Sequence, residues 1–262
     1  ILTTWFAACT LLDSSLHACE QHELAVRKWQ VQGVEREALL WIPSGATIAP
    51  VASDGVPTLV PPSSLPVVFA FHGHGGTMKN AVRTFGIHDA WPEAIVVYMQ
   101  GLPTPGRLTD PEGLKSGWQP RLGDQKDRDL AFFDAVLATL RKEYRVDDQR
   151  IFATGHSNGG SFTYLLWGTR GDQLAAVAVS AAVPQVKLLD SMKPKPVMHI
   201  AGEKDQLVKY ETQLVGMTFL RKLNGSSEEG RAWAENCTVY EGTTNKPVVT
   251  MITPTTHRFP DK

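Results

Sequence analysis

The stretch Gly155-His156-Ser157-Asn158-Gly159-Gly160 sets a serine inside a G-x-S-x-G pattern. A β-type run, Arg150-Ile151-Phe152-Ala153-Thr154, precedes it, and a helix-compatible run from Ser161 to Trp167 follows. Strand, sharp turn and helix form the context of a nucleophile elbow. Glycines suit that turn because side chains there would strike the neighbouring strand and helix. A serine hydroxyl alone is a weak nucleophile. It needs a base to take its proton, an acid to orient the base, and N–H donors for the oxyanion.

Around such an elbow the partners follow in the order acid, then histidine, each at the C-terminal end of a later strand. Beyond the apolar run Pro196–Ala201 comes Gly202-Glu203-Lys204-Asp205, which makes Asp205 the expected acid and Glu203 its rival. Beyond Pro247–Thr253 comes Pro254-Thr255-Thr256-His257, and no histidine other than His257 follows His199. His257 is the expected base. His156 adjoins the serine, where the two side chains of a tight turn point apart. One oxyanion donor is the N–H of Asn158. The other is the N–H of His74 in His72-Gly73-His74-Gly75-Gly76, an H-G-x-G-G loop whose glycines let backbone approach a substrate oxygen. Trp118 and Gln119 lie in the long loop after Ala94–Met99 and are expected to touch substrate; a Trp that packs the loop onto the core is the alternative. Asp127 and Asp129 suit a helix N-terminus. His199, inside a strand, is expected to be a satisfied core histidine. No C-x-x-C occurs and no cysteine adjoins a histidine, so metal binding by cysteine is not expected. His72-x-His74 is a metal-pair alternative with no carboxylate ligand next to it, and the serine chemistry requires neither metal nor other cofactor.

These groups need a scaffold that gathers strand ends on one rim. Apolar runs at Pro66–Phe71, Ala94–Met99, Leu174–Ala181, Pro196–Ala201 and Pro247–Thr253 read as buried strands. Lys28–Gln32 and Ala38–Ile42 read as an antiparallel pair. Helical spacing marks Asp127–Tyr144 through Leu130, Phe133, Val136, Leu137 and Leu140, and a second helix is expected over Gln206–Leu223. Strands alternating with helices predict an α/β fold with a mostly parallel central sheet and helices on both faces.

The chain of 262 residues fits one such domain. With 26 basic and 27 acidic residues, a net charge of −1, and no basic block, neither nucleic acid nor a stable membrane insertion is implied. Residues 1–18 are mostly apolar and run into Leu16-His17-Ala18-Cys19, which reads as an export signal remnant, with lipid anchoring through Cys19 as a variant. An ordinary N-terminal helix packed on the domain, to which Asp13 points, is the alternative. The catalytic domain is then residues 25–262, secreted or periplasmic. A Cys19–Cys237 disulfide is one open option, with Cys9 the third cysteine.

His72–Thr77, Tyr98-Met99-Gln100-Gly101, Gly117-Trp118-Gln119, Asp129–Phe133, Tyr144-Arg145-Val146-Asp147 and Gly155–Gly160 occur in that order. Together they resemble the poly(3-hydroxybutyrate) depolymerase-like and feruloyl esterase-like branch of the α/β-hydrolases, over about residues 25 to 260. The resemblance implies an exported serine esterase acting on a polyester, a feruloylated or acetylated polysaccharide, or a small acyl ester, with its serine, acid and histidine on Ser157, Asp205 and His257. The family's Gly-His-x-Trp-Pro is here Thr256-His257-Arg258-Phe259-Pro260, with Phe259 in place of Trp. Relatives also carry a closing helix after the histidine, so a fragment without that helix is expected. A serine peptidase of the same fold and a non-catalytic binding domain are the rival readings.

Overall fold

The computed structural model describes residues 24–44, 46, 64–106 and 109–260. The export segment at 1–18, Cys9, Cys19 and the Cys19–Cys237 pairing fall outside them; Cys237 itself is buried. The elements follow in order: β1 (Ala25–Val31), β2 (Val34–Trp41), β3 (Leu65–Phe71), α1 (Met78–Phe85), α2 (Ile87–Ala90), β4 (Ile95–Met99), β5 (Leu102–Pro103) and β6 (Ser116–Gly117). Then come α3 (Arg128–Glu143), β7 (Val146–His156), α4 (Asn158–Arg170), β8 (Ala176–Ser180), β9 (Val197–Gly202), α5 (Tyr210–Leu223), β10 (Arg231–Ala234), β11 (Cys237–Tyr240) and β12 (Val248–Thr253).

Ten strands form one sheet in the order β1-β2-β4-β3-β7-β8-β9-β12-β11-β10. The six central strands, β4 to β12, are parallel, and antiparallel strands flank them at both edges. The central strands are the continuous apolar runs of the sequence, because both of their faces are covered. From β3 the chain steps outward to β4, then returns across β3 to β7 and continues the other way. The strand order therefore reverses between β3 and β7. In open α/β sheets, ligands bind beyond the strand ends at this crevice.

The two faces carry unequal cores. On one face α3, α4 and α5 bury Phe69, Phe71, Phe132, Phe133, Phe162, Trp167 and Leu220 against the sheet. Helix α4 is buried nearly all round, from Gly159 to Trp167, so it lacks the one-sided pattern of a surface helix. The other face has a smaller core, where Met78 and Ala81 of α1 meet Val68, Ala70, Val96 and Tyr98. Toward β8, β9 and β12 that second face has no helix among the described residues, and Phe152, Ala178, Met198, Val249 and Met251 stay half-buried.

The predicted elements sit within a few residues of the observed ones. Asp127 and Asp129, however, do not cap α3. Two N–H groups of its first turn, those of Asp129 and Leu130, donate to Oε1 of Gln119, at 3.1 and 3.4 Å. Asp129 is instead sealed in an ion pair with Arg36 at 2.8 Å, with side-chain exposures of 0% and 1%. A helix cap works from any acceptor at the right place, including one ten residues upstream, and a sequence shows only the near ones.

Candidate active site

Strand β7 ends at His156, and Ser157 follows with φ 57° and ψ −119°, a backbone state that side chains rarely adopt. Two contacts hold it: the Ser157 N–H donates to Ser180 O at 2.8 Å, and its own carbonyl accepts from the Ser161 N–H at 2.9 Å. The neighbouring glycines are demanded by space. A Cβ on Gly155 would lie 2.3 Å from Gly159 O, and one on Gly159 would lie 2.2 Å from Phe71 O. The turn can therefore close tightly enough to raise the serine above the sheet.

Asp205 follows β9 and His257 follows β12, neighbouring parallel strands in register from Val197↔Val248 to Gly202↔Thr253. That register brings the two loops together. His257 Nδ1 lies 2.8 Å from Asp205 Oδ2, and His257 Nε2 lies 2.8 Å from Ser157 Oγ. Asp205 is only 2% exposed, and its Oδ1 accepts from the N–H groups of Leu207 and Val208, each at 2.9 Å. Glu203, the rival acid, points to solvent. The three side chains that the sequence placed on separate strand ends thus form one hydrogen-bonded line.

The loop after β3 lies on the other side of the serine. A Cβ on Gly73 would lie 3.6 Å from Ser157 Cβ, so the backbone of this loop runs against the nucleophile. Among the described residues, the N–H groups of His74 and Asn158 have no acceptor. The His74 ring turns away, with Nε2 3.0 Å from Asp110 Oδ2. His72 is buried: its Nδ1–H donates to Gly73 O at 2.8 Å and its Nε2 accepts from the Gly101 N–H at 3.0 Å. Burial pushes its pKa down to about 4, so the ring is a neutral brace.

Trp118 and Gln119 do not line the site. Both are 0% exposed. The Trp118 indole N–H donates to His72 O at 2.9 Å, and its ring packs on Phe71 and Phe162 with centroids 5.2 and 5.4 Å away. Gln119 caps α3 and donates to Asp127 Oδ1 at 2.7 Å. Burial on the core side takes both side chains out of substrate reach, so the packing alternative holds for Trp118. Their backbone matters instead. The Asn158 side chain accepts from the Trp118 N–H at 2.7 Å and donates to Trp118 O at 3.1 Å. The elbow asparagine thus ties the serine's turn to the β6 loop.

His156 packs its ring 5.0 Å from that of His257 and bonds Ser180 Oγ through Nδ1 at 3.1 Å. Burial, then the nearby His257 charge, push its pKa down to about 4. Phe259 packs edge-on to Phe85 of α1 at 5.0 Å, where it braces the His257 loop. Beside it opens a cleft of about 620 Å³ lined by Arg83, Thr84, His156, His257, Arg258 and Phe259. The sequence reading missed one polar group, Gln213. It lies on the buried stripe of α5 with Gly216, Met217 and Leu220, and a glutamine on an apolar stripe was the available signal.

No family model matches the chain. The Nocardia uniformis subsp. tsuyamanensis protein NocK is 30% identical over 167 residues, 61% of this chain and 45% of its own length. Feruloyl esterase C of Emericella nidulans is 32% identical over 113 residues, 43% of this chain and 38% of its own. The matches therefore span less than half the length of these curated relatives. Among solved structures, the acetyl xylan esterase from Aspergillus awamori superposes with a TM-score of 0.64 at 13% identity, over 90% of this chain and 95% of the other. The chain has the α/β-hydrolase fold, and the resemblance read from its motifs is borne out. Among the described residues, no helix is long and apolar enough to cross a membrane.

Proposed function

We propose that the protein is a serine carboxylic ester hydrolase working through an acyl-enzyme. One observation carries the reading: Ser157, His257 and Asp205 are joined by two contacts of 2.8 Å at the crevice where the strand order reverses. His257 Nε2 takes the Ser157 proton as Oγ attacks the ester carbonyl. Asp205 accepts from Nδ1–H, which fixes the tautomer and stabilises the imidazolium that forms. The oxyanion is received by the free N–H groups of Asn158 and His74, set before the reaction begins. His257 then returns its proton to the leaving alcohol and activates water to release the acid.

The substrate class we favour is an ester of a polymer or an aryl acid: a feruloyl or acetyl polysaccharide ester, a polyester, or a smaller acyl ester. Support comes from the feruloyl esterase C relative and the motif order. Export to a secreted or periplasmic location rests on the apolar stretch before Cys19. The test is a panel of methyl ferulate, acetylated xylan, short-chain poly(hydroxybutyrate) and an aromatic polyester, run with a serine-reactive fluorophosphonate. Turnover of one ester with labelling lost in Ser157→Ala is expected; folded protein that neither turns over an ester nor labels would sink the reading.

A further inference from the structure

Behind Asp205 the hydrogen-bond line does not stop. Gln213 Nε2 donates to Asp205 Oδ2 at 3.2 Å and to Val208 O at 2.7 Å. Gln213 Oε1 faces His199 Nε2 at 3.1 Å, and His199 Nδ1 faces the Tyr164 hydroxyl at 2.7 Å. Gln213 and His199 are both 0% exposed, and so is Tyr164. These contacts join α5, β9 and α4 beneath the site.

The proton positions follow from the acceptors. Asp205 Oδ2 and Val208 O can only accept, so the end of Gln213 facing them is its NH2 group. Its carbonyl must then face His199, which requires the proton on Nε2. His199 Nδ1 is left as an acceptor, so the Tyr164 hydroxyl donates. Each polar atom along the line has one consistent role, as a buried network requires. Burial keeps His199 neutral, its pKa pushed down to about 4, and holds the Tyr164 hydroxyl protonated by raising its pKa. Neither His199 nor Tyr164 changes charge at neutral pH.

We infer that Gln213 is a positioning residue for the proposed acid, its amide held in one orientation by His199 and Tyr164. This inference rests on the esterase reading of the same site. The amide shares the Asp205 oxygen that receives His257, so it sets both where that oxygen points and how much charge it presents. Removing the amide concentrates charge on Oδ2, which favours the imidazolium. The other titratable and charged groups near His257 are His156, tilted against it, and Arg83 and Arg258 lining the cleft.

The experiment is NMR titration of His257, with steady-state kinetics, in the unaltered protein, Gln213→Leu and Tyr164→Phe. Gln213→Leu is expected to raise the His257 pKa by roughly half a unit to one unit. It should also lower kcat about tenfold with KM nearly unchanged. Tyr164→Phe, close to isosteric, should move both in the same direction by less. A folded Gln213→Leu protein with the His257 pKa and kcat unchanged would overturn the inference. If that variant does not fold, Tyr164→Phe decides: a shift supports the inference and no shift overturns it. The two failures separate, because the titration reads His257 whether or not the protein turns over an ester. An inactive, unlabelled parent protein would sink the esterase reading alone.

Discussion

On the side of Ser157 nearest β3 and β4, Trp118, Gln119, His72 and Asp129 are sealed and hydrogen-bonded. On the side nearest β12, Arg258 is exposed and His257 and Phe259 are only partly covered. The first flank is held by buried polar contacts: Trp118 to His72, Asn158 to the Trp118 backbone, and Arg36 to Asp129. The second is held by Asp205 beneath His257 and by Phe259 on Phe85. The contrast suits the proposed acyl transfer. Oxyanion donors gain from being fixed before the reaction. In the proposed reaction the imidazole passes a proton between three partners, and substrate needs a way in.

The largest effects should come where the two flanks meet. Ser157→Ala is expected to lower kcat/KM by about 10⁴-fold or more while the urea midpoint stays within experimental error. Asp205→Asn keeps the shape but cannot hold the His257 tautomer, and a fall of order 10³ to 10⁴ in kcat is expected. Equal loss in folding stability would instead make Asp205 a structural residue.

On the sealed flank the expected cost is stability. Asp129→Ala strands a guanidinium that is 1% exposed on its side chain, and breaking such a buried pair costs about 3–5 kcal/mol. Urea unfolding measures it. A loss under about 1 kcal/mol would show that this flank is not held by its ion pair. On the open flank, Phe259→Ala removes a partly covered ring that meets Phe85 and His156, and a loss of about 1 kcal/mol is expected, with KM raised more than kcat is lowered. A large loss of stability there would erase the distinction between the flanks.

Acid should act gradually through three covered histidines. His72, His156 and His199 have pKa values pushed from 6.5 to about 4 by burial. The unfolded chain binds protons at these sites where the folded chain does not, so stability rises with pH in that window. Their contribution is fully present above pH 6.5, declines as pH falls toward 4, and declines no further below it. Urea midpoints across this range test the sign; a midpoint that rises on acidification would contradict it.

Much of this site was legible in the chain. Gly155, Gly159 and Gly160 around Ser157 are spatial necessities, and they betray the elbow because no other residue fits the close approach to Phe71 and Ser180. Asp205 and His257 could be found because the order of strand ends is a property of the connections. Trp118 and Gln119 could not be placed, because a loop residue facing substrate and one facing the core look alike in sequence. The same ambiguity hid Asp129, which looks like a cap, and Gln119, which acts as one.

The sequence alone determined the alternation of apolar runs, the tight turn at Ser157 and the chemical types that follow it, since these rest on local sterics and on residue order. Tertiary structure alone decided that β9 and β12 lie side by side, that Asp205 rather than Glu203 turns inward, and that Gln213, His199 and Tyr164 meet beneath them. Those contacts join residues far apart along the chain, and which side chain faces inward is fixed only once the sheet and its helices have packed.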